Sequence, residues 1–157
     1  ELLGDNPLVH AELIDDVIDY YGSGEYDYAT SVTTEYPHAG PEVAKFPIGV
    51  RVQVYPLATL TRCEEMTSTS YHREHATTFI AEHPEIFRLG YLEAKGKWAA
   101  LDRPDLTFAV NYRENFELVE QIFEVCSPED ANFSLHAALK AYDARPELGK
   151  FMGTPTA

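Results

Sequence analysis

An α/β domain, a small sheet with helices on its flanks, is the architecture that this 157-residue sequence predicts. Leu13, Ile14, Val17, Ile18 and Tyr21 recur at helical spacing from about Ala11 to Tyr21, and Gly22-Ser23-Gly24 closes that helix. An aromatic and β-branched run, Tyr26 to Val32, follows it as a strand follows a helix in a crossover. Gly49 to Tyr55 then sets Val50, Val52 and Val54 against Arg51 and Gln53, which is the period of a strand. The length suits one core, so residues 1–157 are expected to form a single domain.

At the start of the chain, Leu2 and Leu3 run into Gly4-Asp5-Asn6-Pro7, the pattern of a buried strand turning into a helix opened by proline. Asp5 then stands at a strand tip, where ligands gather in α/β sheets. A carboxylate there can ligate magnesium or simply cap the helix. Thr33 to Lys45, with Pro37, His38, Gly40 and Pro41, has no period and reads as a loop able to line a site. Pro56 ends the alternating strand, and Leu57 to Met66 is helical in composition. In Ser70 to Glu85, Arg73, Glu74 and His75 are expected at a helix start, where backbone N–H groups favour anions; a surface ion-pair cluster is the plainer reading. His72 and His75 lack the i, i+4 spacing of a zincin helix.

Ile86 to Glu93 reads as a strand and Ala94 to Ala100 as a loop or turn. Lys95 to Asp102 is either an arm that docks on a partner or an ordinary surface loop. Leu106 to Val110 reads as a fully buried strand ending at Asn111. Phe116, Val119, Ile122 and Phe123 form the stripe of one helix. Leu135, Ala138, Leu139 and Tyr142 mark the last helix, with Asn132 or Ser134 at its cap, and residues 146–157 are expected to be a loose tail.

A formal net charge of -14 excludes the basic surface that nucleic-acid binding requires and disfavours anionic membranes. Cys63 and Cys126 are too few for a disulfide framework or a zinc cluster and read as thiols in a reducing compartment. No stretch approaches the about 20 apolar residues of a membrane span, and no signal-peptide pattern is visible, so a cytoplasmic location is expected.

Five segments, in order, resemble one family. Gly4-Asp5-Asn6-Pro7-Leu8 is similar to the Gly-Asp-x-Pro-Leu of cytidylyltransferases of the spore coat polysaccharide biosynthesis type, relatives of the enzymes that activate acylneuraminate and ketodeoxyoctonate. Tyr26-Asp27-Tyr28 resembles the family's Asp-Tyr strand, and Gly49 to Tyr55 its Gly-Leu-Asp-Val-Glu-Val-Phe. Arg73-Glu74-His75-Ala76-Thr77 with His83-Pro84-Glu85 is similar to its Arg-Glu-His-Val-Thr and His-Pro-Glu. Val110 to Val119 stands where the family has Val-Asp-Thr-Pro-Glu-Asp-Leu-Glu-Leu-Val.

The resemblance implies a Rossmann-like mixed sheet flanked by helices, of the nucleotide-diphospho-sugar transferase (GT-A-like) kind. Its Gly/Arg/Ser-rich nucleotide-binding segment would lie before Glu1. It implies magnesium-dependent transfer of CMP from CTP to a sugar or sugar acid in surface polysaccharide biosynthesis, and a homodimer. On this resemblance Asp5 and Asn111 are the metal residues and Asp5, Arg73 and His75 the catalytic ones. Asn6, Arg73, Glu74 and His75 are the substrate-binding ones. Three positions depart from the family: Asn111 replaces a metal carboxylate, and Arg51 and Gln53 replace Asp and Glu. These departures keep a second reading open, a catalytically impaired sugar-nucleotide-binding or assembly subunit. A third, a glycosyltransferase on the same scaffold, lacks an Asp-x-Asp motif.

Overall fold

A computed structural model describes residues 1–36, 39–75 and 77–151. Pro37 and His38 of the expected site loop, Ala76 of the Arg73–Thr77 motif, and residues 152–157 of the expected tail lie outside the described residues.

Helix α1 (Ala11–Ser23) buries Leu13 and Val17. Its cap is not the proline expected to open it: Asn6 to Val9 form turns, and the His10 ring accepts the Glu12 N–H at 3.3 Å. Strand β1 (Tyr28–Ser31) lies at the centre of a three-stranded mixed sheet. It runs antiparallel to β2 (Gln53–Val54) and parallel to β3 (Leu89–Leu92). The strand expected from Gly49 to Tyr55 thus pairs regularly over only two residues, with Val52 adding a single bridge to Leu2. Leu2 is 52% exposed, so the first segment is an edge contact rather than a buried strand.

Three helices cover the second face of the sheet: α2 (Leu57–Met66), α3 (Ser70–Glu74) and α4 (Thr78–Glu82). Beyond β3, Gly96–Leu101 forms a 3-10 helix that buries Trp98 and Leu101, which rules out a projecting arm at Lys95 to Asp102. Leu106 to Val110 is buried at Leu106, Phe108 and Ala109, but it joins its neighbour through one parallel bridge, Ile48 to Thr107. Gly49 is held there at φ +86°, and a Cβ on it would lie 2.1 Å from the Ala109 backbone nitrogen. Only glycine fits a chain crossing that close.

Helix α5 (Arg113–Cys126) begins with the Asn115 side chain accepting the Tyr112 N–H at 3.1 Å. It buries Leu118, Val119 and Ile122, whereas Phe116 of the expected stripe is 54% exposed. Helix α6 (Leu135–Asp143) takes Ser134 as its cap, as expected. The expected loose tail is corrected over its first six residues: Pro146–Phe151 is a 3-10 helix whose Leu148 is buried in the main core.

Strand periodicity sorts the interior into two clusters. Val50, Val52, Val54 and Leu92 point to one side and join α1, α5 and α6 in the larger, apolar core. Tyr28, Val32, Tyr55, Leu89 and Tyr91 point to the other and pack with Cys63, Phe79, Ile80 and Phe87 of the covering helices and the segment after them. Both cysteines are free thiols, as expected. No helix among the described residues is long and apolar enough to cross a membrane.

Candidate functional site

On the second face of the sheet, β2, β1 and β3 align Gln53, Thr30 and Tyr91 in one cross-strand row. The row is polar, with Gln53 and Thr30 buried and Tyr91 half-buried, so its enclosed groups must find partners within the protein. Gln53 Oε1 accepts from the Tyr28 hydroxyl at 2.5 Å and from Thr77 Oγ1 at 2.8 Å. Tyr36 joins through a 2.8 Å hydroxyl contact with Tyr28, and Thr30 Oγ1 donates to the Tyr36 oxygen at 3.3 Å. Burial pushes both tyrosine hydroxyls above their ordinary pKa. Gln53, on the second side of the Gly49–Tyr55 alternation, therefore sits in a buried network and not on a solvated edge.

Where this network meets the surface there is a cavity of about 210 Å³, walled by Arg51, Tyr36, Tyr71, Thr77 and Tyr91. Arg51 Nη1 meets Glu35 Oε1 at 3.3 Å. Burial opposes the Arg51 charge, but Tyr36 and Glu35 outweigh it and hold the guanidinium above its ordinary pKa. Glu82, also in the wall, is paired with His72 Nε2 at 3.1 Å, and Thr67 fixes the other ring nitrogen at 2.7 Å. Among the described residues, the buried side-chain polar atoms without a hydrogen-bond partner are Arg51 Nε and Tyr91 Oη, and both residues line this cavity. A larger, open depression of about 740 Å³ lies beside Tyr36. Its Lys45 ammonium is already bonded to the Gly40 and Val43 carbonyls at 2.8 and 3.1 Å.

The residues singled out in the sequence fall into two groups. Asp5 is half-buried, and its carbonyl accepts the Val110 N–H at 2.8 Å, which sets Asp5 and Asn111 on adjoining segments. Asn6 is buried in the turn between them and α1, its N–H donating to Leu3 O at 3.1 Å. Arg73, Glu74 and His75 are exposed, and they occupy the end of α3 rather than a helix start. The helix stops there after five residues, so the expected anion-binding N–H groups do not face out at these positions. The His75 ring packs 5.0 Å from that of Tyr71, in the cavity wall, while Arg73 lines a separate depression with Cys63 and His72. No hydrogen bond or ion pair among the described residues joins the two groups.

Among the described residues no three His, Cys, Asp or Glu side chains gather as a metal site. Magnesium asks less: one or two protein oxygens, with substrate phosphates and water in the remaining positions. Asp5 and Asn111, on adjoining segments, carry a carboxylate and an amide oxygen, donors of that kind. Sequence reasoning missed Tyr36, Tyr71, Thr77 and Tyr91 as site residues. The one available signal was Tyr91, a phenol in a strand otherwise bounded by Gly90 and Leu92.

A mixed sheet with helices on both faces and a polar cavity over one of them make this an α/β protein, and known proteins share its fold. The solved structure of a cytidylyltransferase from Leptospira borgpetersenii superposes with a TM-score of 0.73 at 15% identity, over 98% of this chain and 58% of that one. In sequence, the spore coat polysaccharide biosynthesis protein SpsF of Bacillus subtilis is 25% identical over 126 residues, 78% of this chain and 45% of the relative. The uncharacterised protein MJ1063 of Methanocaldococcus jannaschii is 29% identical over 92 residues, 59% of this chain and 33% of the relative. No protein-family model matches the chain. The likeness to cytidylyltransferases of the spore coat polysaccharide type thus has support from sequence and from fold, at modest identity. The chain spans between a third and somewhat over half the length of these proteins.

Proposed function

We propose that the protein takes part in nucleotidyl transfer for polysaccharide biosynthesis, moving CMP from CTP to a sugar or sugar acid. The observation that carries this reading is the superposition on a cytidylyltransferase along nearly the whole chain, supported by the sequence likeness to the spore coat protein. In such a reaction an acceptor hydroxyl attacks the α-phosphorus and pyrophosphate leaves, so the protein's work is positioning and stabilising charge on phosphate oxygens. Asp5 and Asn111 would hold magnesium, which when bound supplies charge stabilisation to those oxygens. Asn6 would fix the turn that carries Asp5. Arg73, Glu74 and His75, exposed at the end of α3, would meet the substrate from solvent. A soluble, cytoplasmic homodimer belongs to the same reading.

Pyrophosphate release from CTP and magnesium over a panel of sugars and sugar acids tests it. Release is the expected result; absence of both release and CTP binding overturns it. A second reading, a binding or assembly subunit, draws on one specific observation: Gln53, in the place of a family acid, is committed to Tyr28 and Thr77 and is 1% exposed. CTP binding without turnover would favour that reading. Asn111→Asp should tighten magnesium about 10- to 100-fold in a titration, the range that a change in ligand support produces.

A further inference from the structure

We infer that Asn115 is a positioning residue, whose side-chain oxygen holds the backbone of Asn111 so that Asn111 can serve a magnesium ion together with Asp5. The inference rests on the metal role proposed for Asp5 and Asn111 and deepens it by naming what holds the uncharged member of the pair.

Asn111 sits between two held peptide units. Before it, the Val110 N–H donates to Asp5 O at 2.8 Å. After it, the Tyr112 N–H donates to Asn115 Oδ1 at 3.1 Å, and the Tyr112 carbonyl accepts from the Phe116 N–H at 3.2 Å. The peptide unit joining Asn111 to Tyr112 is planar, so holding its N–H restrains the ψ angle of Asn111. Asp5 thus steadies the segment on one side of Asn111, and Asn115 steadies it on the other.

Asn115 can do this because both ends of its amide are engaged. It is 3% exposed, and its Nδ2 donates to Phe151 O at 3.2 Å. Phe151 ends the 3-10 helix whose Leu148 is buried in the main core, so the amide is anchored to a packed element. With an N–H at its oxygen and a carbonyl at its nitrogen, the amide has one orientation that satisfies both. An Asp here could make the first contact and not the second; an apolar residue could make neither. Magnesium demands near-octahedral geometry, and a neutral amide oxygen has no charge to offset misplacement. Placement therefore matters more for Asn111 than for Asp5.

The test follows magnesium binding to the 157-residue chain by NMR at the Asn111 side-chain amide, together with hydrogen exchange of the Tyr112 N–H. Asn115→Ala should weaken magnesium about tenfold, the low end of the range for a group that orients a metal ligand, and should speed Tyr112 exchange. Asn115→Leu keeps the volume and should show the same two losses where the alanine chain does not fold. Asn115→Asp keeps the acceptor, so it should retain Tyr112 protection and bind magnesium at least as tightly as the parent. A leucine chain with unchanged affinity overturns the inference. So does an aspartate chain as weak as the alanine or leucine one, because loss of the acceptor would then not be the cause. A parent chain whose Asn111 amide ignores magnesium overturns the metal reading and this inference with it, whereas a parent that binds and variants that match it overturn this inference alone.

Discussion

The two faces of the sheet are built from the same three strands and solve opposite problems. One face presents valine and leucine to α1, α5 and α6, where area removed from water does the work. The other presents Tyr28, Thr30, Gln53 and Tyr91, whose apolar bodies are buried only because most of their polar tips find each other. The first face tolerates changes that preserve volume, whereas the second tolerates none that strands a hydroxyl. On the second, hydrogen bonding is left incomplete at Arg51 Nε and Tyr91 Oη.

The sharpest break in this contrast would come from the larger core. Leu118→Ala should cost about 2–5 kcal/mol, read as a lower urea midpoint with unchanged slope. Gln53→Leu is nearly isosteric and would be mild if the second face were ordinary core. It should instead cost about 1–3 kcal/mol, because the Tyr28 and Thr77 hydroxyls lose their common acceptor.

The faces should also differ in alkali. Tyr28 and Tyr36 are held above the ordinary tyrosine pKa by burial, so the folded state retains their protons longer than the unfolded chain does. That stability is complete below pH about 10 and is lost as pH rises through the folded values. Tyr28→Phe should flatten the alkaline limb of a stability–pH curve, and an unchanged limb would mean that the network does not resist ionisation.

The smallest effect lies at the sheet edge. The Arg88 backbone N–H, 2.9 Å from Asp27 Oδ2, and then the Arg88 side chain hold the Asp27 carboxyl below its usual pKa. Its contribution is present above pH about 4 and disappears as pH falls through the depressed value. Asp27→Asn should therefore remove a shallow acid dependence of the thermal midpoint.

Much of the fold was legible in the sequence because apolar period reports which residues share a face. The stripes of α1 and α6 were readable, as was the alternation of Val50, Val52 and Val54. Period does not report what covers a face, so Arg51 and Gln53 read as a polar side when three short helices in fact close over them. The 3-10 segments escaped for a related reason: Trp98 and Leu148 are single anchors, and one anchor has no period. At the candidate site, Arg73 and His75 were read as a helix start, and the structure puts them at the end of α3. Helix α3 stops at Glu74, and nothing in local composition fixes such an end. Phe116 shows the converse error, an aromatic at helical spacing that faces outward.

The pairing of β1 with β3 bears also on how the chain comes to be made. Asp27 and Arg88, which close the end of that ladder, stand 61 residues apart. During synthesis Tyr28 leaves the ribosome long before its neighbouring strand exists, and closing so long a loop is the slow kind of contact. The aromatic side of the nascent sheet therefore waits uncovered. Its rich complement of hydroxyls keeps that waiting surface wetted, a service to the unfinished chain that an all-valine strand could not give.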